Sequence, residues 1–170
     1  MIYRFKIVSP EAKNFLLQLQ IDGSETFHTL HETIRQCVDY KTHQMASFFI
    51  RNGNGKKTIE VSMLDAGLNG YPNYSMLRTK ISELVSLKNN PVLYTFDLFN
   101  DRSFILELTG IDMEKNLQEP LTDLEGQTPV QMLEEDVNVQ ESTARQEDEV
   151  FQDFGVLEDY TEIFGEMDPI

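Results

Sequence analysis

The sequence predicts an α+β fold: a mixed sheet of about six strands with two helices, β-grasp-like, followed by an acidic C-terminal tail. Three observations carry that reading. Short runs alternate apolar and polar residues with period two, as half-buried strands do. One segment instead repeats its apolar residues at helical spacing. All surplus negative charge is gathered at one end of the chain.

Ile2 to Val8 (IYRFKIV) alternates and reads as a strand. Ser9-Pro10-Glu11 turns the chain, because proline fixes φ and supplies no donor. In Phe15 to Ile21, Leu17, Leu19 and Ile21 alternate with Gln18 and Gln20, giving a second strand that pairs with the first as a hairpin. Asp22-Gly23-Ser24 breaks the pattern, and Ser24 or Thr26 caps a helix. Along that helix Phe27, Leu30, Ile34, Cys37 and Val38 form one apolar stripe.

Met45 to Arg51 and Lys57 to Met63 read as two more strands, joined by Asn52-Gly53-Asn54-Gly55, residues that tolerate positive φ. Leu64 to Tyr74, with Gly67, Gly70 and Pro72, reads as a loop. Ser75 or Thr79 opens a second, short helix carrying Leu77, Ile81, Leu84 and Val85, which Asn89-Asn90-Pro91 ends. Val92 to Phe99 and Ser103 to Ile111 complete the strands, with Asn100-Asp101-Arg102 between them. A hairpin followed by a helix and more strands gives the β-grasp-like expectation, by analogy of fold.

The chain has 170 residues and a formal net charge of −15. Through Gln118 there are 13 basic and 13 acidic residues. From Glu119 onward there are 16 acidic residues and one basic one, Arg145. This divides the chain into a neutral core domain, 1–118, and an acidic tail, 119–170, expected to be largely disordered or loosely docked. Val139 to Glu149 has almost nothing to bury, so it cannot offset its ordering entropy. One thiol, Cys37, excludes an internal disulfide and fits a reducing compartment, so a cytoplasmic location is expected. No secretory signal opens the chain, and no 18-residue apolar run spans a membrane.

Phe27-His28-Thr29-Leu30-His31-Glu32-Thr33-Ile34 resembles the Leu-x-x-Leu-His-x-x-Ile helix of the plasmid pRiA4b ORF-3-like family, which includes insertion-sequence passenger proteins. Tyr40 stands where that family has Trp, Gln44-Met45 where it has His-Leu, and Phe48 matches its Phe. Lys80 to Leu84 continues the similarity, and Leu93-Tyr94-Thr95-Phe96-Asp97 looks like the family's Tyr-x-Tyr-Asp-Phe-Gly-Asp strand. The motif positions are therefore Leu30, His31, Ile34, Tyr40, Phe48, Phe96 and Asp97. The family's Trp-Arg-Arg is replaced by FLLQLQI, its Gly-Asp by Phe99-Asn100, and its acidic-Cys-Gly-Gly motif is missing. The resemblance implies a retained scaffold with a degraded polar signature, in a family tied to mobile elements.

His28, His31 and His43 invite a metal reading, but no CxxC or HExxH pair accompanies them, so no metal or cofactor is expected. Cys37 falls on the apolar stripe, which favours an inert thiol over a nucleophile. Asp97 and Asp101 suit an acid–base pair or simply a turn. A nucleic-acid binder needs a basic face. The largest cationic cluster is Lys56-Lys57 with Arg51, so direct contact with nucleic acid is not expected.

The last residues set Phe151, Phe154, Leu157, Tyr160, Ile163 and Phe164 among carboxylates at near-helical spacing. That pattern suits a motif folding onto a protein partner with a basic-rimmed apolar groove, in competition with docking on its own core and with a merely solubilising role. The expectation is a non-enzymatic interaction module whose tail binds a protein partner. Two alternatives are an enzyme with a site around His31, Tyr40 and Asp97, and a nucleic-acid-associated protein. A polar pocket joining His31, Tyr40 and Asp97 favours the enzyme, and scattered or buried positions favour the module.

Overall fold

The computed structural model describes residues 1–42, 44–64 and 70–133. In chain order the elements are β1 (Ile2–Val8), β2 (Leu16–Asp22), α1 (Phe27–Cys37), β3 (Ser47–Arg51), β4 (Lys57–Ser62) and β5 (Asn73–Ser75). Then come α2 (Ile81–Leu84), a 3₁₀ turn (Leu87–Asn89), β6 (Val92–Asp97), β7 (Arg102–Asp112) and β8 (Leu121–Glu125). The strands form one sheet in the order β5-β4-β3-β6-β7-β1-β2-β8. Every pairing is antiparallel except β4 with β5.

Alternation in β1 sends Tyr3, Phe5 and Ile7 into the core and leaves Arg4 and Lys6 exposed. Register carries the pattern into β2, where Phe5 faces Leu19 and Ile7 faces Leu17. Helix α1 lays Phe27, Leu30 and Ile34 into the core, and the Phe27 ring meets Phe48 of β3 at 5.2 Å. Its first amides have partners. Thr26 Oγ1 accepts from the Thr29 N–H at 3.2 Å, while the Phe27 and His28 N–H groups donate to the Thr79 and Met76 carbonyls at 3.0 Å. The segment before α2 therefore closes the open end of α1, and this fixes where His28 and His31 stand.

Among the described residues the sheet has eight strands, not about six. β5 has three residues and joins β4 in parallel from within the expected loop. β8 lies beyond residue 118 and pairs with β2, from Leu16 opposite Glu125 to Gln20 opposite Leu121. Contacts group Met1–Gln131 as one compact unit, which includes β8. The second helix is a single turn, with Lys80 as its N-cap in place of Ser75 or Thr79. A β-grasp sheet sets its first strand beside a parallel partner, whereas β1 here runs antiparallel to both neighbours, β2 and β7.

Gly126 follows β8 at φ 82°, and a Cβ there would collide with the carbonyl oxygen of Asn14. Gly126→Ala is expected to cost about 1–3 kcal/mol and to loosen β8 from β2. Amide hydrogen exchange reads this directly: protection at Leu121–Glu125 falls in the variant, and unchanged protection there refutes the strain.

Candidate functional site

Two polar clusters flank the core, and the sequence-predicted residues divide between them. The first is built on Arg102, where β7 begins. Its side chain is 7% exposed and lies over the Phe96 ring, 4.9 Å from the ring centre. Nε and Nη2 form a fork to the Glu11 carboxylate at 2.8 Å each, and Nη1 reaches Asp97 at 3.5 Å. Nη1 and Nη2 also donate to the carbonyls of Gln131 (3.0 Å) and Val130 (2.6 Å). One guanidinium thus ties together the β1–β2 loop, the end of β6 and the chain after β8.

Tyr40 adds to the same fastening. Its buried hydroxyl donates to the Pro129 carbonyl at 2.6 Å. The Gln131 amide completes it, accepting from the Lys41 N–H at 2.7 Å and donating to the Lys41 carbonyl at 2.9 Å. Residues 129–131 are therefore strapped to the core by side chains, without a ladder of their own. The electrostatics follow from the pairing. The Arg102 hydrogen bond holds the Glu11 carboxyl below its usual range. Burial pushes Asp97 upward, but hydrogen bonds from Asn100 and Arg102 outweigh it and hold that carboxyl low as well. Burial pushes the Tyr40 hydroxyl up, so it stays a donor.

The second cluster surrounds His31. Its Nδ1 lies 2.9 Å from the Tyr94 hydroxyl, and Tyr94 is 1% exposed. Burial raises the Tyr94 hydroxyl and lowers the His31 imidazole, with only partial opposition from Glu32. We therefore assign Tyr94 as donor and His31 as the neutral tautomer with its proton on Nε2, the nitrogen 3.5 Å from Glu32. Glu32 is gripped by Arg35, whose Nη2 donates at 2.7 Å and whose Nη1 reaches the Tyr40 carbonyl at 2.8 Å. Beside His31 opens a cavity of about 250 Å³ that also touches His28, Gln44, Ser47, Glu60 and Ser62.

This arrangement gives a pH dependence with a definite sign. Because the folded His31 titrates below an ordinary histidine, the unfolded chain takes up the proton first as pH falls. Its contribution to stability is complete above about pH 6.5 and declines from there as pH drops toward the folded value. Urea midpoints measured at pH 8 and pH 5 are expected to differ less in His31→Gln than in the parent. An equal loss in both proteins refutes the assignment.

The three residues of the catalytic alternative are not joined in one pocket. His31 borders the cavity, but Tyr40 and Asp97 belong to the Arg102 strap. Leu30, Ile34, Phe48 and Phe96 are core residues. Cys37 is partly buried and packs against that core. Asp101 sits in the turn at φ 52° and pairs with Lys57 at 3.2 Å. Lys57 also lies over the Phe49 ring, so the expected cationic cluster is partly neutralised. Among the described residues, no group of three or more His, Cys, Asp or Glu is placed to hold a metal ion. None of their helices is long and apolar enough to cross a membrane. Phe151, Phe154, Leu157, Tyr160, Ile163 and Phe164 lie outside the described residues.

Sequence reasoning passed over Glu60 and the 129–131 strap, gave Glu11 and Arg102 only turns, and read Gln44 only as a departure from the family's His. Glu11 and Arg102 stand 91 positions apart, and the strap contributes backbone carbonyls, which carry no residue signature. Tyr94 had a signal, since it falls inside the strand motif.

Comparison with known proteins adds two findings. The family model described as "Plasmid pRiA4b ORF-3-like protein" matches residues 2–155. A crystal structure of a protein of unknown function from Methanosarcina mazei Go1 shares the fold, with a TM-score of 0.62 and 20% sequence identity. That similarity covers 76% of this chain and 71% of the other. Among curated proteins, none matches.

Proposed function

The chain belongs to the plasmid pRiA4b ORF-3-like family, and from that premise we propose that it is a non-enzymatic, cytoplasmic interaction module whose acidic C-terminal residues engage a protein partner. The observation that supports this reading is the separation of His31 from Tyr40 and Asp97. An acid–base mechanism needs such groups within hydrogen-bond reach of one substrate. Here Tyr40 holds Pro129 and Asp97 pairs with Arg102, and neither borders the cavity beside His31.

The partner surface is an apolar groove with a basic rim. It receives Phe151, Phe154 and Leu157, continued by Tyr160, Ile163 and Phe164, while Lys and Arg at the rim meet the intervening carboxylates. Direct contact with DNA is the weaker reading, because phosphate binding draws on unpaired cations and Lys57 is already spent on Asp101.

Affinity capture from the native cell tests the proposal. Full-length protein is compared with a chain ended after Leu133, which keeps β8 and the strap, and with the triple variant Phe151→Ala, Phe154→Ala, Leu157→Ala. Both altered proteins are expected to lose the same partner while melting as cooperatively as the parent. Retention of every partner by both sinks the proposal.

A further inference from the structure

We propose that the cleft between Tyr40, Lys41 and Arg102 is a recognition site for an extended Pro-x-Gln peptide of a partner protein, kept shut by the chain's own Pro129-Val130-Gln131. It stands apart from the interaction proposed for the C-terminal residues, and either can fail alone.

Three consecutive main-chain carbonyls of the strap are each held by a side chain. Pro129 is held by the Tyr40 hydroxyl at 2.6 Å, Val130 by Arg102 Nη2 at 2.6 Å and Gln131 by Arg102 Nη1 at 3.0 Å. Such contacts fix the path of an extended chain without selecting its sequence. Selection comes from the two ends. Pro129 is buried and brings no N–H that would need a partner there. The Gln131 carboxamide accepts from the Lys41 N–H at 2.7 Å and donates to the Lys41 carbonyl at 2.9 Å. Glutamate has no proton for that carbonyl and lysine no acceptor for that amide, so the pair reads an amide side chain. Val130 between them is 65% exposed, which leaves the middle residue free to vary.

The walls of the cleft are held without the strap. Arg102 is anchored by Glu11 and Asp97 and lies on the Phe96 ring, with two of its five N–H donors left for the carbonyls. Tyr40 packs on Phe96 and Phe104, and its carbonyl is fixed by Arg35. A preformed wall loses little freedom when a peptide enters. The strap, by contrast, is reached through residues 121–127, all exposed, and belongs to no strand. It is a tethered ligand, and a free peptide of the same pattern competes with it for one cleft.

Fluorescence-polarisation titration of the full-length protein with labelled Thr-Pro-Val-Gln-Met, the sequence of residues 128–132, tests the site. Two full-length variants loosen the strap and leave the walls intact: Pro129→Gly with Gln131→Ala, and the milder Gln131→Glu. Both are expected to bind the peptide saturably with millimolar or better affinity. The parent is expected to bind at least about tenfold more weakly, because its tether supplies an effective concentration on the order of millimolar. The reversed peptide Met-Gln-Val-Pro-Thr, and a peptide with Glu in place of Gln, are expected to bind at least about tenfold more weakly than the probe. Bound peptide is expected to restore hydrogen-exchange protection at the Lys41 amide, which the variants lose. A merely structural strap gives lower melting temperatures without saturable binding, and that result overturns the proposal, as does equal binding of the reversed peptide. A parent dimer that dissociates on dilution and is lost in Gln131→Glu names a second copy as the occupant, and overturns the assignment to a partner protein.

Discussion

Replacing Arg102 by methionine is expected to destabilise the protein by about 2–4 kcal/mol and to lower its melting temperature by about 10 °C. The side chain is 7% exposed, and its removal strands Asp97, 9% exposed, together with the carbonyls of Val130 and Gln131. The figure sits below the full cost of breaking a buried pair, because the Glu11 carboxylate is 40% exposed and water recovers part of the loss. Arg102→Lys is expected to restore little: an ammonium keeps the charge but cannot reach two carboxylates and two carbonyls at once. Calorimetry gives the melting temperature, and hydrogen exchange at the Lys41 amide, which donates to Gln131 Oε1, shows whether the strap has opened. A variant that melts like the parent with that amide still protected removes Arg102 from its assigned role.

The second large effect lies in the aromatic core. Phe104 of β7 is 0% exposed, with the rings of Phe96 at 4.8 Å, Phe15 at 4.9 Å, Tyr40 at 5.9 Å and Tyr94 at 6.3 Å. Phe104→Ala leaves a void walled by four rigid rings that cannot collapse into it, and the expected cost is about 3–5 kcal/mol. Phe104→Leu keeps most of the volume and is expected to cost markedly less. Urea unfolding measures both: the midpoint moves while the slope stays unchanged. Since Tyr40 leans on Phe104 and also holds Pro129, the double variant Phe104→Ala, Tyr40→Phe is expected to lose less than the two singles together. Strict additivity would mean that ring packing and strap are independent.

What the sequence made legible, and what it hid, follows from length and locality. The β1–β2 hairpin and α1 announce themselves because each buries one face, so periodicity is written into Tyr3, Phe5, Ile7 and again into Phe27, Leu30, Ile34. By contrast β3, buried from Ser47 to Ile50, shows as a short apolar run before Asn52-Gly53. β5 has three residues, too few to show a period, and its pairing comes entirely from β4. β8 leaves all five residues exposed, so no alternation marks it, and its acidic surroundings read as tail. The Arg102 strap was hidden for another reason. Its acceptors on residues 129–131 are main-chain oxygens, and every residue type carries one.

Because β8 is the last of the described strands on its side of the sheet, its outer rim of N–H and C=O groups is an edge open to pairing. A second molecule joining it antiparallel, centre to centre, would set Asp123 against Asp123 and Leu121 against Glu125. Like charges directly opposite oppose such a ladder. The acidity of β8, whose Asp123 and Glu125 stand in a strand that buries nothing, thus acts as a guard against sheet-to-sheet polymerisation, relaxed by Asp123→Val.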